Sequence, residues 1–184
     1  MQKLCEDFRQ QEIVFDCLIL NAGIGSNFEV QDIDLIDFEK VLDVNFLSNV
    51  HILKYLLPPM INRHDGLIAI IASLAGYRGM PKSAPYAASK AALINFTESL
   101  RLDLWQTGIK VVLVSPGFVK TPMTDKNNYY MPFIMPVEKA AKIIIKGLEK
   151  EKTEIHFPYR LSLLAKLGKL LPNNFYAWLM QGRK

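Results

Sequence analysis

Two stretches of this chain are apolar on successive rather than alternate positions: residues 13–20 (IVFDCLIL) and 67–71 (LIAII). A strand with one wet face alternates, whereas a strand covered on both faces does not. Both runs therefore predict strands buried on two sides, as in a parallel sheet. A third, shorter strand is expected over 110–114 and a last one over 154–157.

Helical patterns fill the intervals. Residues 1–12 read as the end of a polar helix. Residues 32–62 read mainly as helix, capped by Asp34 or Asp37, with Phe38, Val41, Leu42, Phe46, Val50, Leu53 and Leu57 recurring at three- and four-residue steps. Pro58 and Pro59 are expected to stop or kink it. A second long helix spans 83–107 and ends at Gly108. A third, over 137–150, places Ala140, Ala141, Ile144 and Leu148 on its inner face. A basic amphipathic helix over 161–171 is broken by Pro172, and 173–180 adds one or two more turns. Strands alternating with helices define an α/β fold built on a parallel sheet.

The 184 residues suit one domain. Charge is uneven: residues 1–138 carry 12 Lys/Arg against 15 Asp/Glu, and residues 139–184 carry 10 against 3. The basic end has no interleaved aromatic platform and no nucleic-acid motif, so nucleic-acid binding is not expected. His51, His64 and His156 are scattered and Cys5 and Cys17 form no CxxC pair, which gives no metal site and points to reduced thiols. No run approaches the roughly 18 apolar residues of a membrane span. Residues 1–11 are polar, with Glu6 and Asp7, unlike a secretion signal, and a cytoplasmic protein is expected.

The chemistry concentrates in residues 73–90 (SLAGYRGMPKSAPYAASK). Ser73 ends the strand at 67–71, and Tyr86 and Lys90 stand four apart, on one face of the following helix. A hydroxyl, a phenol and an ammonium can then converge at the carboxyl edge of a parallel sheet, where open α/β folds bind ligands. Alone, each piece has an ordinary reading: Ser73 as a cap, Tyr86 and Lys90 as a surface pair, Asn21-Ala22-Gly23 as a turn.

Further features come in a fixed order: DxLxxNAG over 16–23, Asn45 within the first long helix, then Ser73, Tyr86 and Lys90, then Pro116-Gly117 with Val119 and Thr121. This ordered set resembles the short-chain dehydrogenase/reductase family over essentially the whole chain, thinning after about Lys150. The resemblance implies a Rossmann-like doubly wound sheet, NAD or NADP as cofactor, and interconversion of a carbonyl and an alcohol. It implies Tyr86 as acid/base and Lys90 as the cation that favours its phenolate and holds the nicotinamide ribose. Ser73 would orient the carbonyl. Asn45 would bend its helix and hold a water linking Lys90 to solvent. Asn21, Ala22, Gly23, Pro116, Gly117, Val119 and Thr121 would line the cofactor. The family also implies a homodimer or tetramer through the two long helices, and the wording of residues 157–180 resembles members acting on lipophilic substrates.

One part of the family pattern has no counterpart. Gly23-Ile24-Gly25 is followed by Phe28, so G-x-G-x-x-G is not met. The resemblance starts within the helix before the fourth family strand, which implies an N-terminally truncated member with only the second half of the sheet. About three strands, roughly 70 residues at ordinary element lengths, are missing from the pattern. Residues 1–157 would form the partial dinucleotide-binding domain and 158–184 its helical extension. The strand at 13–20 would be an exposed edge, and the chain alone is expected to bind NAD(P) weakly or not at all. The alternative is an inactive member that serves as a dimerisation or interaction module. For the helix at 161–171, lysines outward over a substrate pocket is the ordinary arrangement, and contact with a membrane surface is the other reading.

Overall fold

The computed structural model describes residues 2–26, 28–127 and 129–181. Its centre is a four-stranded parallel sheet of β1 (Cys17–Leu20), β2 (Gly66–Ile71), β3 (Ile109–Pro116) and β6 (Glu154–Phe157), in the order β1-β2-β3-β6. A short parallel pair, β4 (Val119–Lys120) with β5 (Met135–Pro136), forms beyond β3. The α/β class with a parallel sheet expected from the apolar runs, and the doubly wound arrangement the resemblance implies, are what the chain adopts, with β1 at the sheet edge.

Each face of the sheet has its own core. On the first face, α1 (Gln2–Gln10), α3 (Ser48–Arg63) and α4 (Ala84–Asp103) cover Leu18, Leu20, Ile68, Ile70, Val111 and Leu113. On the second, α5 (Val137–Glu149) covers Ala69, Ile71, Val112, Val114 and Ile155. Strand β2 is apolar on both sides because both cores meet it.

Strand β1 departs from expectation twice. Residues 13–16 lie outside the strand, and only Leu18 and Leu20 are buried; Cys17 is exposed and Ile19 is 54% exposed. The reason is cover. Helix α5 sits over β2, β3 and β6, and no element among the described residues reaches the second face of β1.

The first long helix is also interrupted. Asp34 caps α2 (Leu35–Leu42), its carboxylate accepting from the Asp37 amide at 3.0 Å. A π-helical turn, Asp43–Leu47, separates α2 from α3. Pro58 and Pro59 do not stop α3, which runs on to Arg63. Met60 is fully buried beyond the prolines and anchors that turn, while Lys54, four residues before Pro58, is exposed, so its unpaired carbonyl can reach water. Helix α4 begins after Ser83 as expected but ends at Asp103. Strand β3 extends through Ser115 and Pro116, which pair with His156 and Phe157 on β6. On α5, Ala140 is buried but Ala141 is exposed. Helices α6 (Tyr159–Leu170) and α7 (Asn173–Gln181) close the chain.

Candidate active site

The carboxyl ends of β1, β2 and β3 open on one groove of about 770 Å³. Its floor carries Ser73 and Tyr86; Ile24 and Gly25 flank it on one side, Gly117 and Phe118 on another, and Leu161 and Ala165 of α6 form a wall.

Ser73 comes directly after β2. Its hydroxyl caps a 3-10 turn, Leu74–Gly76, by accepting from the Ala75 amide at 3.1 Å, and lies 3.5 Å from the Pro116 carbonyl. Tyr86 enters from the first turn of α4. Burial pushes its phenol up, and a hydrogen bond with Ser73 pulls the other way without cancelling it. Lys90 lies one turn further on, buried, with its ammonium 5.7 Å from the centre of the Tyr86 ring and 2.9 Å from the Ile71 carbonyl, to which it donates. Burial lowers its pKa to about 8. Burial thus acts on both groups, while the ammonium lies over the ring and is bonded to the backbone carbonyl of Ile71.

The loop after β1 reaches this cluster through Gly23. A Cβ at Gly23 would lie 3.4 Å from Lys90 Nζ and 3.5 Å from Asn45 Oδ1, so the glycine lets loop and lysine meet. Asn45, within the π turn, is fully buried. Its Oδ1 accepts from the Ile24 amide at 2.7 Å, and its Nδ2 donates to the Ile24 carbonyl at 3.0 Å and to Ser89 Oγ at 2.9 Å. Both amide donors are thus engaged by protein, and the Asn45 backbone carbonyl accepts from Asn49 Nδ2 at 2.8 Å. Asn45 pins the loop to α4 rather than presenting its side-chain amide to solvent.

The other expected residues divide. Gly117 lines the groove, and a Cβ there would come within 3.0 Å of Leu161 and Pro158. Asn21 and Ala22 are exposed at the end of β1. Pro116 ends β3 beside Ser73. Val119 packs against the second core, and Thr121 is tied to Thr124, its amide donating to Thr124 Oγ1 at 2.9 Å; neither is among the groove's lining residues.

Other contributors carry no clear signal in the sequence. Asn49 and Ser89 complete the buried polar shelf under the loop; Asn49 is four residues after Asn45, a spacing that marks one helix face. At Gly76, a Cβ would lie 2.7 Å from the Lys90 carbonyl, so only glycine lets the 3-10 turn pack on α4. Ser26 Oγ, on the groove wall, is buried and has no hydrogen-bond partner among the described residues.

Helix α6 is fastened by a second polar cluster. Tyr77 donates to Glu154, whose other oxygen accepts from Lys166 at 2.7 Å. Burial alone would raise the Glu154 carboxyl, but those two hydrogen bonds hold it below its usual range. Burial and the same carboxylate push the Tyr77 phenol up. Ser162, fully buried, bonds His156 Nδ1 at 2.7 Å.

The family model for short chain dehydrogenases matches residues 1–131. An uncharacterized oxidoreductase of Myxococcus xanthus (strain DK1622) is 37% identical over 161 residues, 88% of this chain and 64% of that protein. The 3-oxoacyl-(acyl-carrier-protein) reductase FabG of Rickettsia prowazekii (strain Madrid E) is 39% identical over 124 residues, 67% of this chain and 52% of that one. A solved short chain dehydrogenase from Burkholderia cenocepacia J2315, in complex with NADP, superposes with a TM-score of 0.81 at 22% identity, covering 97% of this chain and 74% of that chain. The chain belongs to the short-chain dehydrogenase family, a family of oxidoreductases. It spans between half and two thirds of the length of these two curated relatives.

Proposed function

We propose that this chain carries the proton-transfer site of an NAD(P)-dependent oxidoreductase that interconverts a carbonyl and an alcohol. The observation that carries the reading is that Ser73 and Tyr86 line one groove, with Lys90 buried beside the phenol ring.

In this reading the substrate oxygen accepts hydrogen bonds from Ser73 and Tyr86. A bound nicotinamide cofactor supplies the hydride. Tyr86, kept protonated by burial, gives its proton to the oxygen as negative charge develops there. Lys90 steadies the phenolate left behind and can return a proton to it. Because Tyr86 rests as the acid, reduction is favoured at neutral pH, and oxidation accelerates as pH rises. The mostly apolar lining, including Leu74, Met80, Phe118, Met123 and Leu161, suits a lipophilic carbonyl compound. Residues 158–184 would act as the extension that walls the groove.

The residues present fit one end of the cofactor. Gly23 leaves room above Lys90, and Asn21, Ala22, Pro116 and Gly117 stand around the same sheet edge. They do not fit the diphosphate end. Asp34 and Asp37 line the groove, and no glycine-rich turn into a helix N-terminus lies among the described residues. Whole-dinucleotide affinity of this chain is accordingly weak. The solved relative in complex with NADP supports the cofactor class.

The test supplies hydride from NADH, NADPH and dihydronicotinamide mononucleotide, which lacks the adenylate half, with an apolar ketone as acceptor. Nucleotide oxidation by the wild-type chain, lowered about a thousandfold in Tyr86→Phe, is expected. Equal rates in the two proteins would remove Tyr86 from its role.

A second reading keeps the fold as an oligomerisation module. It is favoured by the small, exposed residues Ala84, Ala88 and Ala91 on α4, which with Gly79 border a shallow groove of about 350 Å³. A stable dimer by light scattering, with no oxidation of any of the three donors, is its signature.

A further inference from the structure

The outer face of α6 and α7 takes no part in the chemistry above, and it is apolar. Leu163, Leu164, Leu167 and Leu170 are 45%, 62%, 51% and 79% exposed. On α7, Phe175 and Trp178 stack at 5.7 Å between centroids and are 50% and 67% exposed. This reverses the ordinary arrangement of an amphipathic helix, in which the leucines pack inward.

The reversal is built in by polar anchors on the inner side. Lys166, expected to face water, pairs with Glu154. Ser162 is buried against His156. Arg78, on the loop between Ser73 and α4, donates to the Lys169 carbonyl at 3.0 Å and to Asn173 Oδ1 at 2.9 Å, and its guanidinium lies 4.4 Å from the Tyr176 ring centre. The Tyr176 hydroxyl in turn donates to the Gly79 carbonyl. The two helices are thus clamped to the site loop with their apolar side outward.

Charge decides what fits there. Residues 158–184 contain no Asp/Glu; of their five Lys/Arg, Lys166 is turned inward and two lie outside the described residues. Arg160 and Lys169 are exposed on α6 beside the leucines. A second copy would set like charges against each other. An anionic bilayer matches both features: acyl chains take the leucines and Trp178, and headgroups take the cations. No helix among the described residues is long and apolar enough to cross a membrane, and the proposed contact is made by the outer face of α6 and α7.

We propose that α6 and α7 form a docking surface for an anionic lipid bilayer. The inner side of α6 lines the groove through Leu161 and Ala165, so docking places the groove wall at the membrane. The proposal stands independently of catalysis.

The chain has two tryptophans, and Trp105→Phe leaves Trp178 as the sole one. This protein is sedimented with vesicles of phosphatidylcholine alone, and of phosphatidylcholine with phosphatidylglycerol, some carrying brominated acyl chains. Sedimentation with the anionic vesicles and quenching of Trp178 by bromine are expected. Affinity falls about tenfold or more in Arg160→Glu/Lys169→Glu and is lost in Leu164→Asp/Leu170→Asp. Protein left in the supernatant with anionic vesicles overturns the proposal, even if a variant fails to fold. So does a lipid-free dimer that shields Trp178 and leaves it unquenched.

Discussion

The shelf beneath the groove and the C-terminal helix pair distribute polar and apolar groups in opposite ways. In the shelf, Asn45, Asn49, Ser89 and Lys90 are buried, and every one has a hydrogen-bond partner. In the helix pair, leucines and a tryptophan face outward while Lys166 and Ser162 turn in. Burying polar groups fixes geometry, since each lost partner leaves a desolvated atom behind. Exposing apolar groups fixes nothing internally and reserves a surface for something else. Substitutions in the two regions should therefore differ in kind.

The largest effect belongs to Asn45. Asn45→Ala strands Ile24 and Ser89 and is expected to lower stability by about 3 kcal/mol in urea titration. It also frees the loop over Lys90. Gly76→Ala comes next: its methyl meets the Lys90 backbone at 2.7 Å, neither part of which is a flexible side-chain end. About 2 kcal/mol of destabilisation is expected from that overpacking.

Lys90→Met should move the other way. The folded pKa of Lys90, about 8, lies below its ordinary 10.5. Between those values the unfolded chain binds more protons, so stability rises with pH across that window, and the burial penalty is full below about pH 8. Removing the charge at pH 7 gains about 3 kcal/mol, less about 1 for the bond to Ile71. Calorimetry should show a melting temperature about 5 °C higher, no rise in stability from pH 8 to 10, and no turnover. The smallest effect is predicted for Leu164→Ser and Leu170→Ser, within about 0.5 kcal/mol of wild type by thermal melting. A loss comparable to that of Asn45→Ala would mean these leucines pack internally and would dissolve the contrast.

How far each region can be read from sequence divides along the same line. The β2 run is legible because strand burial is local; the order Asn45, Ser73, Tyr86, Lys90 is read from the resemblance to the family, and the helix spacing of Tyr86 and Lys90 with the sheet edge accounts for their proximity to Ser73. The exposure of β1 is not legible, because an apolar run does not say which faces have cover; α5 reaches Ala69 but not Ile19. The prolines of α3 mislead because Met60 anchors the turn beyond them. The direction of α6 is not readable from its own pattern. It is set by Glu154, twelve residues before Lys166, and by Arg78, more than ninety residues before its partners Lys169 and Asn173.

The central expectation is that burial, rather than an ion pair, sets the protonation of the site. A titration of ¹³C-labelled tyrosine and ¹⁵N-labelled lysine by NMR reads this directly, without cofactor or substrate. The prediction is a Tyr86 that titrates above the ordinary tyrosine range and a Lys90 that titrates near pH 8. A Tyr86 that ionises below the ordinary range, with Lys90 shifted upward, would mean a resting phenolate–ammonium pair and would contradict it.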